Sequence, residues 1–154
     1  MNPLKLRKKL HSQPETAFEE WKTTKILKKE IQSLETFNIE EFEKTGFIAE
    51  TKNEGKPHIL FRADIDALPI EDNITEEYVS KVPGTGHKCG HDGHASTMIS
   101  FAQKLSKNKP KGHISLLFQP AEETGEGAKY VLDHDFMQKK EFDYVYAYHN
   151  LPGY

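Results

Sequence analysis

The chain contains a single cysteine, no long apolar run and no excess of positive charge, and each of these features excludes a class of protein. Cys89 is the only cysteine among 154 residues, so an internal disulfide cannot form. No run reaches the roughly 18 apolar residues of a membrane-spanning helix, and the N-terminus lacks the apolar core of a signal peptide. A net charge of −3 argues against a nucleic-acid partner. We therefore expect a cytoplasmic protein with no nucleic-acid or membrane partner.

Several catalytic motifs are also missing. The sequence contains no H-E-x-x-H, no G-x-S-x-G and no phosphate-binding loop. Zinc deaminases combine cysteine, histidine and glutamate in H-x-E and P-C-x-x-C motifs, and neither motif occurs. Any metal chemistry of this chain must therefore rest on a different arrangement of ligands.

The apolar pattern alternates between strand and helix periods within a length that suits one domain. The predicted strands are Gly46–Thr51, His58–Ala63, Ile114–Phe118 and Tyr144–Tyr148. The predicted helices lie around Leu6 and Leu10, along the stripe of Phe18, Trp21, Leu27, Ile31 and Leu34, after Asp92 as N-cap, and from Gly127 to Leu132. Residues 70 to 90 are expected to be irregular. Strands that alternate with helices indicate a three-layer α/β domain.

Three histidines and the cysteine, all able to bind a metal ion, lie within residues 87 to 94. A thiolate with imidazoles suits zinc or another transition metal better than calcium or magnesium. We expect Cys89 to be a ligand, and His91, two residues further on, can reach the same centre. His87 and His94 are as compatible with a structural role as with ligation. A nucleophilic Cys89 is the alternative, but it would leave the paired glutamates described next without a role.

Glu122 and Glu123 follow a predicted buried strand and Pro120. Adjacent side chains leave an extended backbone in opposite directions, so we do not expect both to bind one ion. One glutamate can hold a metal ion while the other takes a proton from the attacking water. This division of roles is typical of metal-assisted hydrolysis.

The remaining candidates also follow predicted strands. Asp64 and Asp66 come after one strand and His149 after the last, while the Cys89 segment precedes a helix. Open α/β sheets place their ligands beyond the carboxyl ends of strands, so these side chains are expected to meet there. One of the two aspartates is then available to orient a histidine ligand.

These residues belong to five motifs that occur in order along the chain. They are His11 with Pro14 and Glu15, Arg62–Ile70, His87–His94, Phe118–Glu123 with Gly125, Gly127 and Ala128, and His149–Gly153. Together they resemble the amidohydrolase branch of the aminoacylase/carboxypeptidase-type metallopeptidases. That branch includes N-acyl-amino-acid, hippurate and auxin-conjugate hydrolases. The resemblance implies a three-layer αβα catalytic domain with a mixed, mostly parallel sheet.

The resemblance also implies roles for individual residues. Cys89, His91, Glu123 and His149 would hold two divalent ions, and zinc, manganese, cobalt and nickel all suit this mixed ligand set. Glu122 would be the general base and later the acid, and Asp66 an orienting carboxylate. The substrate would be a small N-acyl amino acid, cleaved at its amide. Lys88 stands where the family commonly has a small residue, and a cation there would favour a thiolate.

Members of this family are more than twice as long. Residues 1–154 therefore correspond to an N-terminal portion of the catalytic domain, without the lid or dimerisation domain and the C-terminal part that carries one further histidine ligand. An incomplete layer would leave surfaces uncovered and favour self-association. Two alternatives stay open: a non-catalytic fragment that at most binds metal or a complementary partner, and a dipeptidase or deacetylase of the same clan.

Overall fold

The computed structural model describes residues 1 to 151. Its elements are α1 (Pro3–His11), α2 (Trp21–Gln32), β1 (Phe37–Glu41), β2 (Phe47–Thr51), β3 (His58–Asp64), α3 (His91–Lys107), β4 (His113–Gln119), α4 (Gly127–Leu132), α5 (Asp135–Gln138) and β5 (Tyr144–Ala147). Among the described residues, no helix is both long and apolar enough to cross a membrane. Pro152 and Gly153 of the last motif lie outside the described residues.

The five strands found within residues 1 to 151 form one mixed sheet in the order β1-β2-β4-β3-β5. The β1–β2 and β2–β4 pairs are antiparallel, whereas β4–β3 and β3–β5 are parallel. The mixed sheet is confirmed, although the expectation of mostly parallel pairing overstates the parallel share. Because β3, β4 and β5 run in one direction, the segments that follow them leave the same edge of the sheet.

Helices cover both faces of this sheet, which confirms the three-layer architecture. Successive residues of a strand point to opposite faces, and in β4 Leu116 joins one apolar cluster while Leu117 joins the other. The larger cluster packs α1, α2 and α3 against the sheet through residues such as Leu6, Leu27 and Ile99. The smaller cluster includes Val131 and Met137 of α4 and α5. The strand β5 is exposed along its length.

Three features of the fold differ from the sequence prediction. Helix α3 starts one residue before Asp92, with Gly90 as its N-cap in a left-handed conformation (φ 87°), so Asp92 is not the N-cap. Phe18 has a positive φ of 60° and lies before α2, which begins at Trp21. The pattern missed β1 and α5, because β1 buries only Phe37 and α5 spans a single turn. The irregular character of residues 70 to 90 is confirmed.

Candidate metal centre

The segments that follow β3, β4 and β5 meet the N-terminus of α3, as expected from the strand ends. Two groups of possible ligands form there, one made of Cys89, His91 and His149, the other of His91, Glu122 and Glu123. Within each group, one ligand atom of every residue lies within 4.8 Å of the others. Cys89 Sγ is 3.2 Å from His149 Nε2. The shared residue, His91, joins the two groups into one centre.

His91 is fully buried and its ring is oriented by Asp66. Its Nδ1 lies 3.0 Å from the Asp66 carbonyl oxygen and 3.2 Å from Asp66 Oδ1. Burial alone would lower the pKa of His91, but the Asp66 carboxylate outweighs burial and raises that pKa. The Nε2 atom has no hydrogen-bond partner among the described residues. It is therefore the nitrogen available to a metal ion.

The same aspartate also holds the glutamate turn. Asp66 Oδ2 accepts a hydrogen bond of 3.0 Å from the backbone N–H of Glu123. Burial raises the pKa of Asp66, but the hydrogen bonds from His91 and from the Glu123 backbone outweigh it and lower the pKa overall. Asp66 is thus an ionised, fully buried carboxylate that connects two segments of the centre.

Glu122 and Glu123 point towards the same histidine, contrary to the expectation from an extended backbone. Ala121 has a positive φ of 52°, and the residues that follow it form a turn. Glu122 Oε2 lies 3.8 Å from His91 Nε2, and Glu123 Oε1 lies 3.9 Å from His91 Nδ1. The rule of opposite directions holds only for extended chain, so it does not apply to this turn. That only one of the two glutamates binds an ion stays a prediction.

Glu20, which the sequence did not single out, and Gly127, which belongs to the fourth motif, both stabilise this turn. Glu20 is fully buried, and its Oε1 accepts a hydrogen bond of 2.9 Å from the backbone N–H of Ala121, while Thr45 donates to its other oxygen. Burial raises the pKa of Glu20, although these hydrogen bonds oppose the rise. A Cβ on Gly127 would lie 1.7 Å from the carbonyl oxygen of Pro120, so only glycine allows this close approach. Glu20 lies 101 residues before Ala121, so no local spacing in the sequence indicates that the two are in contact.

The Cys89 segment depends on Gly90 in a similar way. A Cβ on Gly90 would lie 2.4 Å from Asn150 Oδ1, and its φ of 87° favours glycine. Gly90 therefore lets the His149–Asn150 segment approach the start of α3. This approach places His149 beside Cys89.

The surroundings of Cys89 disfavour a free thiolate. Burial, followed by the nearby Glu123 and Glu122 carboxylates, raises the pKa of the Cys89 thiol to about 11. Lys88 does not offset this effect, because its Nζ binds the buried carboxylate of Asp72. A nucleophilic cysteine needs an electropositive environment, so the geometry favours Cys89 as a metal ligand over the nucleophile alternative.

His87, His94 and Asp64 lie outside both ligand groups. His87 is buried beside the His11 ring, and burial lowers its pKa to about 4. His94 Nε2 accepts a hydrogen bond of 3.2 Å from the backbone N–H of Asn150, so His94 supports the segment that carries His149. Asp64 pairs with Arg62 at 2.8 Å.

The residues of the centre suit a transition-metal ion. His91 Nε2 and Glu123 Oε1 are buried atoms without a hydrogen-bond partner among residues 1 to 151. Such atoms are costly to bury unless an ion or water satisfies them. A cysteine, two histidines and carboxylates are ligands that zinc and similar ions accept. The ligand set and the unsatisfied atoms therefore agree.

Comparisons with known proteins point in the same direction. The model of peptidase family M20/M25/M40 matches residues 60–154. An IAA-amino acid hydrolase of Arabidopsis thaliana is 37% identical over 147 residues, which cover 94% of this chain and 31% of the relative. An N-acetylcysteine deacetylase of Bacillus subtilis is 39% identical over 154 residues, covering 97% of this chain and 40% of the relative.

A solved structure from Bacillus subtilis shares the fold. It is described as a dinuclear metal binding peptidase from the M20 family, with 38% identity and a TM-score of 0.91. The match covers 98% of this chain and 43% of that one. This chain thus spans less than half the length of each of these three relatives.

Proposed function

Because the chain belongs to peptidase family M20/M25/M40, we propose that it provides the metal-binding portion of an amidohydrolase acting on N-acyl amino acids. The observation that carries the proposal is the pair of ligand groups joined at His91. The names of two relatives, a hydrolase of IAA-amino acids and a deacetylase of N-acetylcysteine, support an N-acyl amino acid as the substrate class. A dipeptide is the alternative substrate within the same chemistry.

Two divalent ions would be held by four side chains, Cys89, His91, Glu123 and His149. When bound, such ions lower the pKa of water and polarise the substrate carbonyl. Zinc, manganese, cobalt and nickel are all compatible with this ligand set. The dinuclear centre of the Bacillus subtilis structure supports a pair rather than a single ion.

Glu122 is proposed as the general base. Its side chain is 37% exposed, against 16% for Glu123, so it can face a substrate and water while Glu123 faces the ions. Glu122 takes a proton from the attacking water as the new carbon–oxygen bond forms. It then gives this proton to the leaving nitrogen as the amide bond breaks, which yields a carboxylate and a free amino acid.

Asp66 is proposed as the residue that orients this machinery. It holds the His91 ring by one oxygen and the backbone of Glu123 by the other. Because these two partners lie on different segments, Asp66 fixes the position of His91 relative to the Glu123 turn. Its role is positioning, since it is fully buried and faces neither water nor substrate.

The test compares Glu122→Gln with Glu126→Gln, an exposed glutamate on the same segment. Hydrolysis of an N-acetyl amino acid should fall by about 10²–10⁴-fold in Glu122→Gln and stay unchanged in Glu126→Gln. The metal content of both variants should equal that of the parent chain. Full hydrolysis by Glu122→Gln would contradict the assignment. Bound ions without hydrolysis in the parent chain would favour the non-catalytic alternative.

A further inference from the structure

A second cluster of possible ligands lies at the opposite end of the sheet. Glu50 of β2, His58 of β3 and His113 of β4 each offer one ligand atom, and these atoms lie within 4.8 Å of one another. His58 is paired with His113 across two parallel strands. His58 begins β3 and Asp64 ends it, so the cluster and the metal centre are separated by about 20 Å at the usual rise of a strand.

The cluster is built on rigid neighbouring strands. His58 Nε2 lies 2.7 Å from Ser115 Oγ and 3.8 Å from Glu50 Oε1. Ser115 donates its one hydroxyl hydrogen to Glu50 Oε1 at 2.8 Å, so His58 Nε2 donates to Ser115 and an ion at this nitrogen would replace that proton. The rings of His58 and His113 are stacked, with centroids 4.1 Å apart. Stacked rings place their nitrogens side by side, so the His113 ring must turn about its Cβ–Cγ bond to face an ion beside His58 and Glu50.

The protonation states suit metal binding. Burial and the neighbouring His113 lower the pKa of His58, so its ring is neutral at neutral pH. A backbone hydrogen bond at Glu141 orients the same ring, as is usual for a ligating histidine. Burial raises the pKa of Glu50, but hydrogen bonds from Lys140 and Ser115 outweigh burial and keep Glu50 ionised. A neutral imidazole and a carboxylate are the forms that bind metal.

We propose that Glu50, His58 and His113 form a second transition-metal site, separate from the centre at the strand ends. Two histidines and one glutamate are a ligand set that zinc accepts, with water completing the coordination. The ion would connect β2, β3 and β4 and stabilise the folded chain by mass action.

Lys140 limits the affinity of this site. Its Nζ lies 2.7 Å from Glu50 Oε2, so a fixed positive charge stands beside the carboxylate that the ion needs. The other oxygen, Oε1, faces His58 and remains the ligand atom. Removal of the lysine charge should therefore strengthen metal binding. This expectation distinguishes a metal site from a simple network of polar side chains.

The experiment measures Co²⁺ and Zn²⁺ binding to a chain whose main centre is disabled by Cys89→Ser and His91→Asn. After removal of metal by a chelator, equilibrium dialysis should show one ion per chain. Adding His58→Asn and His113→Asn should abolish this ion. Adding Lys140→Met should instead tighten binding several-fold, a gain that misfolding cannot produce. The matched control, His134→Asn, lies outside the cluster and should change nothing.

The dialysis results either support or overturn the second metal site. One ion that is lost with the two histidines and bound more tightly without Lys140 supports the site. A disabled-centre chain that binds no ion overturns the proposal, and so does an ion that persists without His58 and His113. Weaker or unchanged binding in Lys140→Met also overturns it. Circular dichroism of every variant confirms that the fold is kept.

Discussion

Replacing Asp66 by asparagine should weaken metal binding while leaving every proposed ligand in place. The two carboxylate oxygens of Asp66 accept hydrogen bonds from two partners, the His91 ring and the Glu123 backbone. An asparagine offers a carbonyl oxygen, which accepts, in place of one carboxylate oxygen and an NH₂ group, which donates, in place of the other. The NH₂ group must therefore face another donor, either the His91 ring N–H or the Glu123 backbone N–H, and cannot form a hydrogen bond with it.

The expected magnitude follows from these contacts. A buried donor left without an acceptor costs about 1–3 kcal/mol, and each 1.4 kcal/mol corresponds to a factor of ten in affinity. Removal of a partner that orients a ligand typically weakens metal binding by about 10–100-fold. His91 keeps the backbone carbonyl of residue 66 at 3.0 Å as a second acceptor. We therefore expect Asp66→Asn to weaken Zn²⁺ binding by about tenfold, the lower end of this range.

Isothermal titration of the metal-free chain with Zn²⁺ measures this affinity, and Asp64→Asn is the matched control. Asp64 is a buried aspartate two residues away, but it pairs with Arg62 rather than with a ligand. We expect Asp64→Asn to bind Zn²⁺ within about threefold of the parent chain, since the ligands keep their partners. Equal affinities in Asp66→Asn and the parent chain would refute the positioning role, as would an equal loss in both variants.

Three further predictions concern the segments around the centre. Gly90→Ala should lower metal affinity and destabilise the fold by about 1–2 kcal/mol, because Gly90 has a left-handed φ. Gly93→Ala should not destabilise the fold, because the space around Gly93 is open. Chemical denaturation measures the stability of both variants, and metal titration measures their affinity. Glu20→Ala should cost about 1–3 kcal/mol of unfolding free energy because it leaves the Ala121 N–H without an acceptor, unlike exposed Glu19→Ala, and equal stabilities in urea melts would contradict the buried role. Val145→Lys should reduce self-association through the exposed strand β5, measured by sedimentation over a concentration series; association unaffected by the charge would place the contact elsewhere.

The sequence predicted the position of the candidate centre because several of its residues follow strands. Parallel strands that share a direction bring such segments together, and this rule predicts that Asp66, Glu122, Glu123 and His149 lie at one edge of the sheet. The apolar periods likewise predicted the larger helices and four of the five strands. Strand β1 was not predicted, because an edge strand with one buried side chain has no alternating apolar pattern.

The details of the centre depend on backbone conformations that periodicity does not encode. The left-handed residues Gly90 and Ala121 turn the chain towards the centre, and both lie outside regular periods. Glu20 contributes through a hydrogen bond across 101 residues of sequence, which no local spacing indicates. The buried pairing of Lys88 with Asp72 likewise depends on the irregular loop between them.

The central claim is that Cys89, His91, Glu123 and His149 hold two ions at the meeting point of the two ligand groups. Anomalous diffraction from crystals grown with Zn²⁺ tests this claim most directly. We predict two peaks about 3.5–4 Å apart, one beside Cys89 and His149 and the other beside Glu123. A single peak, or peaks remote from His91, would contradict the account.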